Sequence, residues 1–214
     1  MKIFSFDAET DGLWGQAFAI GALVYDEQGA EIARFVGRLP DTEVTEAWVK
    51  ENILPKIADI PVTHNDYAAL LADFAKFYLA NKDEADVVVH MGYIVETKIL
   101  RDMHDGGLIG DWDGPYPLYD VSGNLQAAGA DPTSVDKFVA EHSMSIANFA
   151  GGTHNPLYDS AVAAAVYRHL LGWHLLVGKK MHCWVSGDMR IESPSEMIKK
   201  FSFLKPVLGK LGKG

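Results

Sequence analysis

Two acidic residues near the start of the chain are placed where they could bind a metal ion. Asp7 and Glu9 end the apolar run of IFSFDAETDGL. Side chains alternate between the two faces of a strand, so these carboxylates share one face while Phe4, Phe6 and Ala8 share the other. Neighbouring carboxylates that lose hydration repel each other, and a bound cation relieves both effects. Oxygen ligands of this kind favour Mg²⁺ or Mn²⁺ over zinc.

Three residues further along could complete such a site. Glu96 stands at the start of a predicted helix, after the apolar run ADVVVHM. Asp159 stands in the first turn of a long Ala-rich helix, five positions after His154. Helix N-termini attract acids through the helix dipole alone, so neither acid is informative by itself. Together with the first pair they form an ordered set of four acids and one histidine.

The stretch DAETDG also fits the opening half of an EF-hand calcium loop, but loosely. The bidentate glutamate expected at the twelfth position would fall at Phe18, and an EF-hand loop follows a helix rather than a strand. A simpler alternative is that the acids only end a strand and begin a turn. We adopt that interpretation for Asp11 and Gly12, which are typical turn residues.

In this combination the sequence resembles the DEDD superfamily of 3'-to-5' exonucleases, in its DnaQ-like branch with an active-site histidine (DEDDh). The first motif of that family, D-x-E, matches Asp7-Ala8-Glu9, and the third, H-x(4)-D at the start of a long helix, matches His154 and Asp159. The resemblance covers residues 1 to about 173. It implies a ribonuclease-H-like α/β fold, with a mixed five-stranded sheet flanked by helices.

The second motif of the family matches less well. The family usually has aspartate where this chain has Glu96, and an asparagine that often follows the strand is replaced within His90-Met91-Gly92. Glu96 is nevertheless the expected fourth acid, because its longer side chain could still reach the site. Asp102 and Asp105 are the fallback acids.

The resemblance also implies roles for these residues. Two Mg²⁺ or Mn²⁺ ions per active site are expected, bound by Asp7, Glu9, Glu96 and Asp159, because two divalent ions activate water and neutralise charge during phosphodiester hydrolysis. The expected general base is His154, whose ordinary pKa is near 6.5. The alternative for His154 is a loop histidine with a structural hydrogen bond. Residues after the first motif are expected to contact the terminal nucleotide, by stacking where they are aromatic: Thr10, Leu13 and Trp14.

The expected function is therefore metal-dependent 3'-5' exonuclease activity on single-stranded DNA ends. RNA remains an alternative substrate, because the motifs do not report how the pocket treats a 2'-hydroxyl. A non-catalytic nucleic-acid-binding or assembly module of the same fold is a second alternative. The compact architecture also resembles exonuclease effectors of bacterial antiphage systems of the CBASS type, which predicts a specialised role rather than proofreading.

The elements that must position these residues follow from hydrophobic periodicity and turn signals. Three strands open the chain as a meander, and two more follow. The predicted strands span residues 2–8, 18–25, 32–39, 85–91 and 117–121, and the predicted helices span residues 43–57, 67–80, 96–104, 133–142 and 157–177.

Composition and the N-terminal sequence favour a single cytoplasmic domain. The 214 residues are 48% hydrophobic and 22% charged, and the N-terminus does not resemble a signal peptide. We divide the chain into an exonuclease domain, residues 1–178, and a basic extension packed on it, residues 179–214. The extension has eight Lys and Arg and three acids, which gives it a net charge of +5. Because the whole chain has a net charge of −10, residues 1–178 carry −15. The extension could contact phosphates, or form a homodimer through its aromatic residues around Phe201.

Overall fold

The computed structural model describes residues 1–146 and 149–186, with side chains as far as residue 172. By its internal contacts the chain divides into a unit of residues 1–170 and another of residues 171–214. The fold and the site described below belong to the first unit. The predicted extension, residues 179–214, lies outside the described residues apart from the helix backbone as far as Ser186, so its packing and any dimer contact stay predictions.

Five strands form one mixed sheet in the order β3-β2-β1-β4-β5. The first three are antiparallel neighbours, while β4 is parallel to β1 and β5 is parallel to β4. This is the predicted fold class, and each predicted strand is present. The strands are β1 (Lys2–Thr10), β2 (Ala17–Tyr25), β3 (Glu31–Arg38), β4 (Ala85–Val89) and β5 (Leu118–Asp120).

The helices differ from the prediction in three places, the first being that the last helix continues to Ser186 instead of ending near residue 177. Residues 43–57 do not form one helix, because Pro55 lacks an N–H donor and restricts the residue before it; a short helix and a 3₁₀ turn, Leu54–Ile57, replace it. A further helix after β5 was not predicted. It begins where the Asp120 side chain accepts a hydrogen bond from Ser122 N–H. The helices are α1 (Ala47–Asn52), α2 (Tyr67–Asn81), α3 (Val95–Asp105), α4 (Val121–Ala127), α5 (Val135–Glu141) and α6 (Pro156–Ser186). Among the described residues, none of these helices is both long and apolar enough to cross a membrane.

The orientation of β1 is fixed by an aromatic cluster on one face of the sheet. Phe4 and Phe6 are fully buried against α2, where the Phe4 ring lies 5.6 Å from Tyr78 and the Phe6 ring lies 5.4 Å from Phe74. A shift of one residue along β1 would exchange its two faces and expose these rings. Burial of the aromatic face therefore determines that Asp7 and the other odd-numbered side chains of β1 point to the opposite side.

The start of α6 packs closely against the middle of the sheet. A methyl group added at Gly21 of β2 would lie 2.6 Å from the carbonyl carbon of Pro156, so only glycine allows this approach. The Ser160 hydroxyl donates to the Gly21 carbonyl at 3.1 Å, and Ala161 and Ala164 are each 3% exposed. In β1, the residue paired with Gly21 is Asp7. The first turn of α6 is therefore held next to the acidic stretch of β1.

Candidate active site

The acids of β1 lie where one neighbouring strand has ended. The pairing of β1 with β4 stops at Ser5 and Val88, whereas β1 itself continues to Thr10. Asp7 and Glu9 therefore lie on a stretch whose β4 side is not covered by a strand. Chain segments that follow β4 and precede α6 can approach the two carboxylates there.

Asp159 joins this pair from the first turn of α6. Carboxylate oxygens of Asp7, Glu9 and Asp159 all lie within 4.8 Å of one another. Glu9 is buried and the other two are partly buried. Three convergent carboxylates offer hard oxygen ligands of the kind that Mg²⁺ and Mn²⁺ prefer. The residues present thus fit a divalent metal centre.

The electrostatics of the three acids also indicate a site for a cation. Burial, and then repulsion from Asp159 and Glu96, raises the pKa of Asp7 well above its ordinary value and that of Glu9 to about 8. Burial also raises the pKa of Asp159 to about 7. Without a cation the cluster therefore retains protons near neutral pH, and a divalent ion would replace them.

Glu96 lies in the same cavity but is oriented differently. It is 3% exposed in the first turn of α3, and its Oε1 accepts a hydrogen bond from the Ala8 N–H at 3.2 Å. This N–H belongs to the part of β1 that β4 does not pair with, so the glutamate supplies an acceptor there. Burial raises the pKa of Glu96 to about 8. Glu96 is therefore close enough to interact electrostatically with Asp7 and Glu9, but its carboxylate is not one of the three that converge.

The two fallback acids lie elsewhere. Asp102 accepts hydrogen bonds from Tyr67 and Lys98, at 2.7 and 2.6 Å. Asp105 lines a separate cavity of about 490 Å³ along α3, where it pairs with Arg101 at 3.4 Å. Neither lines the cavity that contains Asp7 and Glu9. Of the acids proposed for the fourth position, the structure places only Glu96 at the site.

His154 stands beside the acids on a strained loop. Its backbone has φ +71°, two residues after the left-handed Gly151 and Gly152. The His154 N–H donates to Asp159 Oδ2 at 2.8 Å, and its ring Nδ1 lies 3.9 Å from Glu9 Oε2. Burial, and then the nearby ammonium of Lys56, lowers the pKa of His154 below 6.5. The ring is therefore neutral at pH 7 and able to accept a proton.

Buried hydrogen bonds fix the loop that presents His154. Asn155 is 2% exposed; its side chain donates to the Ala150 carbonyl at 2.7 Å and accepts from Leu157 N–H at 3.0 Å, which caps α6. From α5, Asp136 accepts hydrogen bonds from the Thr153 hydroxyl at 3.0 Å and the Tyr158 hydroxyl at 2.9 Å. The histidine loop is thus attached both to α6 and to α5.

The loop between β4 and α3 is held in a similar way. Met91, with φ +53°, and Gly92 both donate backbone N–H groups to the Asp120 carboxylate, at 3.1 and 3.0 Å. His90 in the same segment makes a ring-nitrogen hydrogen bond with the Pro132 carbonyl at 3.0 Å. Asp120 therefore ties the end of β5 to the segment that leads to Glu96. This segment is where the sequence departs from the pattern it resembles.

A cavity of about 470 Å³ surrounds the acids. Of the residues expected to contact substrate, Thr10 and Leu13 line it, whereas Trp14 is 68% exposed and is not part of its lining. Two exposed large apolar side chains that were not predicted to contact substrate also line it: Trp48 and Met91. The cavity thus combines an acidic floor with an apolar rim.

Asp11 does more than turn the chain, so that interpretation was wrong. Its carboxylate accepts hydrogen bonds from the Thr45 N–H at 3.0 Å, the Thr45 hydroxyl at 2.6 Å and the Glu46 N–H at 2.8 Å. These bonds lower the pKa of Asp11. They attach the end of β1 to the start of α1, which contains Trp48. No local sequence signal could have shown this link, because the partners are more than 30 positions apart.

Comparison with solved structures agrees with this architecture. The mixed five-stranded sheet with flanking helices is a ribonuclease-H-like fold of the kind found in exonucleases. One similar structure is that of E. coli Exonuclease I in complex with a dT13 oligonucleotide, with a TM-score of 0.57 and 14% sequence identity. The match covers 79% of this chain and 40% of the Exonuclease I chain. No protein-family model matches the chain, and no curated protein matches it by sequence. At this identity the likeness shows the fold alone.

Proposed function

We propose that this protein is a metal-dependent 3'-5' exonuclease that releases nucleotides from single-stranded DNA ends. The observation that supports this most is the convergence of Asp7, Glu9 and Asp159 within 4.8 Å, beside the imidazole ring of His154. A ribonuclease-H-like exonuclease fold around these residues adds support. The 3'-to-5' direction rests on the match of D-x-E and H-x(4)-D to the DEDDh motifs.

The three converging carboxylates would bind the divalent metal, and Glu96 would add negative charge beside them. When bound, two divalent ions supply activation of water and neutralisation of phosphate charge. His154 accepts a proton from the attacking water at a ring nitrogen, and Glu9 Oε2, 3.9 Å from Nδ1, stabilises the imidazolium that forms. The water oxygen bonds to phosphorus, the bond from phosphorus to the 3' oxygen breaks, and that oxygen takes up a proton.

The shape of the cavity suits one nucleotide at a strand end. Its volume, about 470 Å³, falls in the usual range of small-molecule sites. Leu13, Trp48 and Met91 are 62%, 59% and 52% exposed at this rim, where an unpaired base could pack against them. The oligonucleotide bound to the structurally similar Exonuclease I supports single-stranded DNA as the substrate.

Digestion of end-labelled strands tests the proposal. Single-stranded DNA and RNA of one sequence, labelled at the 3' or the 5' end, would be incubated with Mg²⁺, Mn²⁺ or EDTA. We expect stepwise loss from the 3' end of DNA that requires metal. Faster loss from RNA would assign an exoribonuclease. Metal-dependent binding without cleavage would assign the non-catalytic module instead.

Two isosteric substitutions distinguish the loss of a site carboxylate from a general effect of removing one negative charge. Asp7→Asn removes one of the converging carboxylates, and we expect it to abolish cleavage. Asp59→Asn makes the same chemical change at an exposed position outside the cavity and should leave the rate unchanged. Cleavage that survives Asp7→Asn at the wild-type rate would overturn the proposal.

A further inference from the structure

The imidazole of His154 is weakly restrained by polar contacts. Among the described residues its ring forms no hydrogen bond, and its one ion-pair contact there is with Glu9 at 3.9 Å. The side chain is 41% exposed. The main-chain bond to Asp159 fixes the backbone but leaves the side-chain rotamer free. A group that must accept a proton at a defined place needs another restraint.

The ring of Trp48 supplies a contact to this imidazole. The two ring centroids are 6.3 Å apart with an interplanar angle of 84°, a T-shaped arrangement within the range that aromatic pairs prefer. Trp48 itself is 59% exposed, whereas Val49 beside it is 4% exposed. The indole is therefore not part of the core, although the helix that presents it is anchored there.

The position of Trp48 is fixed relative to the catalytic acids. Helix α1 has six residues, and its start is bound to the Asp11 carboxylate through Thr45 and Glu46. Asp11 follows Glu9 by two positions, at the end of β1. The indole and the acids are thus linked through a few backbone residues and the hydrogen bonds that the Asp11 carboxylate accepts.

The chain segment that follows α1 also contacts the loop that presents His154. A methyl group added at Gly151 would lie 1.9 Å from the carbonyl oxygen of Lys56, in the 3₁₀ turn after α1. Gly151 also has φ +84°, so both space and backbone conformation require glycine there. The segment from α1 through this turn therefore packs against the His154 loop at its glycine and at its ring.

We propose that Trp48 is a positioning residue, which holds the His154 ring in the orientation needed to accept a proton. This inference rests on the proposed nuclease function and names a residue that it requires. Trp48 acts through His154, in addition to any contact that its exposed face makes with a base. A purely structural role for Trp48 would affect stability, and a role in binding the base would affect substrate affinity.

A double-mutant cycle separates these roles. Single-turnover cleavage of a DNA oligonucleotide would be measured for Trp48→Ala, His154→Gln and the double variant. At saturating DNA we expect Trp48→Ala to slow the cleavage step of the wild-type enzyme about three- to tenfold, and to have no further effect on that step when His154 is already replaced. Trp48→Phe should restore most of the rate. Trp112→Ala, at an 89% exposed tryptophan outside the cavity, is the matched control.

A spectroscopic readout tests the contact without relying on cleavage. In protein labelled with ¹³C-histidine, the His154 ring signal is identified by its loss in His154→Gln. We expect this signal to shift in Trp48→Ala, through loss of the indole ring current, and to stay unchanged in Trp112→Ala. If wild-type protein cleaves nothing but the signal shifts, the proposed function fails and the contact stands.

Two results would overturn the positioning role. One is a His154 signal that does not change in Trp48→Ala. The other is a rate loss from Trp48→Ala that is equally large in the His154→Gln background, which would assign Trp48 to substrate binding alone.

Discussion

The carboxylate of Asp159 accepts a hydrogen bond from the backbone N–H of His154, with 2.8 Å between donor and acceptor. The two residues of the H-x(4)-D spacing are thus in direct contact, and the first turn of α6 and the histidine loop are joined. Because the donor is in the main chain, the His154 side chain can be replaced without breaking this bond. The imidazole can therefore be tested separately from the acid cluster.

Replacement of His154 by glutamine should slow catalysis without loss of metal binding. We expect kcat to fall by about 10²- to 10⁴-fold, the usual contribution of a general base. Mn²⁺ affinity, measured by isothermal titration calorimetry, should stay close to that of the wild type, because His154 is not one of the three residues whose carboxylates converge. A large loss of Mn²⁺ affinity would make His154 a ligand rather than a base.

Two substitutions at Glu96 should separate its charge from its hydrogen bond. Glu96→Gln retains an oxygen that can accept from Ala8 N–H, so the fold should persist while the rate falls on the order of 10²-fold. Glu96→Asp retains the charge but is too short to reach Ala8. It should lower the free energy of unfolding by about 1–3 kcal/mol, because a buried donor loses its acceptor. Chemical denaturation and cleavage assays measure the two effects. A fully active Glu96→Gln would exclude a catalytic role for the charge.

Metal binding should stabilise the protein more as pH rises. Without metal, the folded protein binds protons at Glu9 and Asp159 up to pKa values of about 8 and 7, whereas the unfolded chain releases them near pH 4. The folded state thus holds more protons than the unfolded chain between about pH 4 and pH 8. The stability that Glu9 and Asp159 contribute is therefore fully present below about pH 4 and is lost as pH rises towards 8.

Differential scanning fluorimetry can measure this linkage. We expect the increase in Tm caused by Mg²⁺ to be larger at pH 8 than at pH 6, because the cation replaces protons at the cluster. Asp7→Asn should raise the Tm of the metal-free protein at pH 8, since it removes one repelling charge, and should reduce the Mg²⁺ effect. A Mg²⁺-induced increase in Tm that is independent of pH would contradict the proton linkage.

Gly21→Ala should disturb both stability and activity from a position outside the cavity lining. The added methyl group would lie 2.6 Å from the backbone of Pro156, so the start of α6 must move away from β2. We expect a loss of about 1–3 kcal/mol in the free energy of unfolding, and a lower rate because Asp159 moves with the helix. The control is Gly123→Ala in α4, where an added methyl group meets no atom within 4 Å. Normal cleavage by Gly21→Ala would show that the placement of α6 is more tolerant than this packing suggests.

Much of the fold could be predicted because its signals are local. Alternation of apolar residues in β1 placed Asp7 and Glu9 on one face, and continuous apolar runs marked β2 and β4. The helix at residues 43–57 was predicted wrongly because one proline outweighed the periodicity around it. Helix α4 was missed because it is short and contains a glycine, and its start depends on a side-chain cap.

The sequence by itself determined which residue types are available. It also determined on which face of each strand or helix they lie, because the face follows from backbone periodicity. Only the tertiary structure decided which of them meet. Asp159 reaches Asp7 and Glu9 because Gly21 lets α6 approach the sheet, and Glu96 turns to Ala8 because β4 ends before the acids. Trp48 reaches His154 because Asp11 holds α1 in place. These contacts join residues separated by tens of positions or more, and local propensity does not encode distances between such residues.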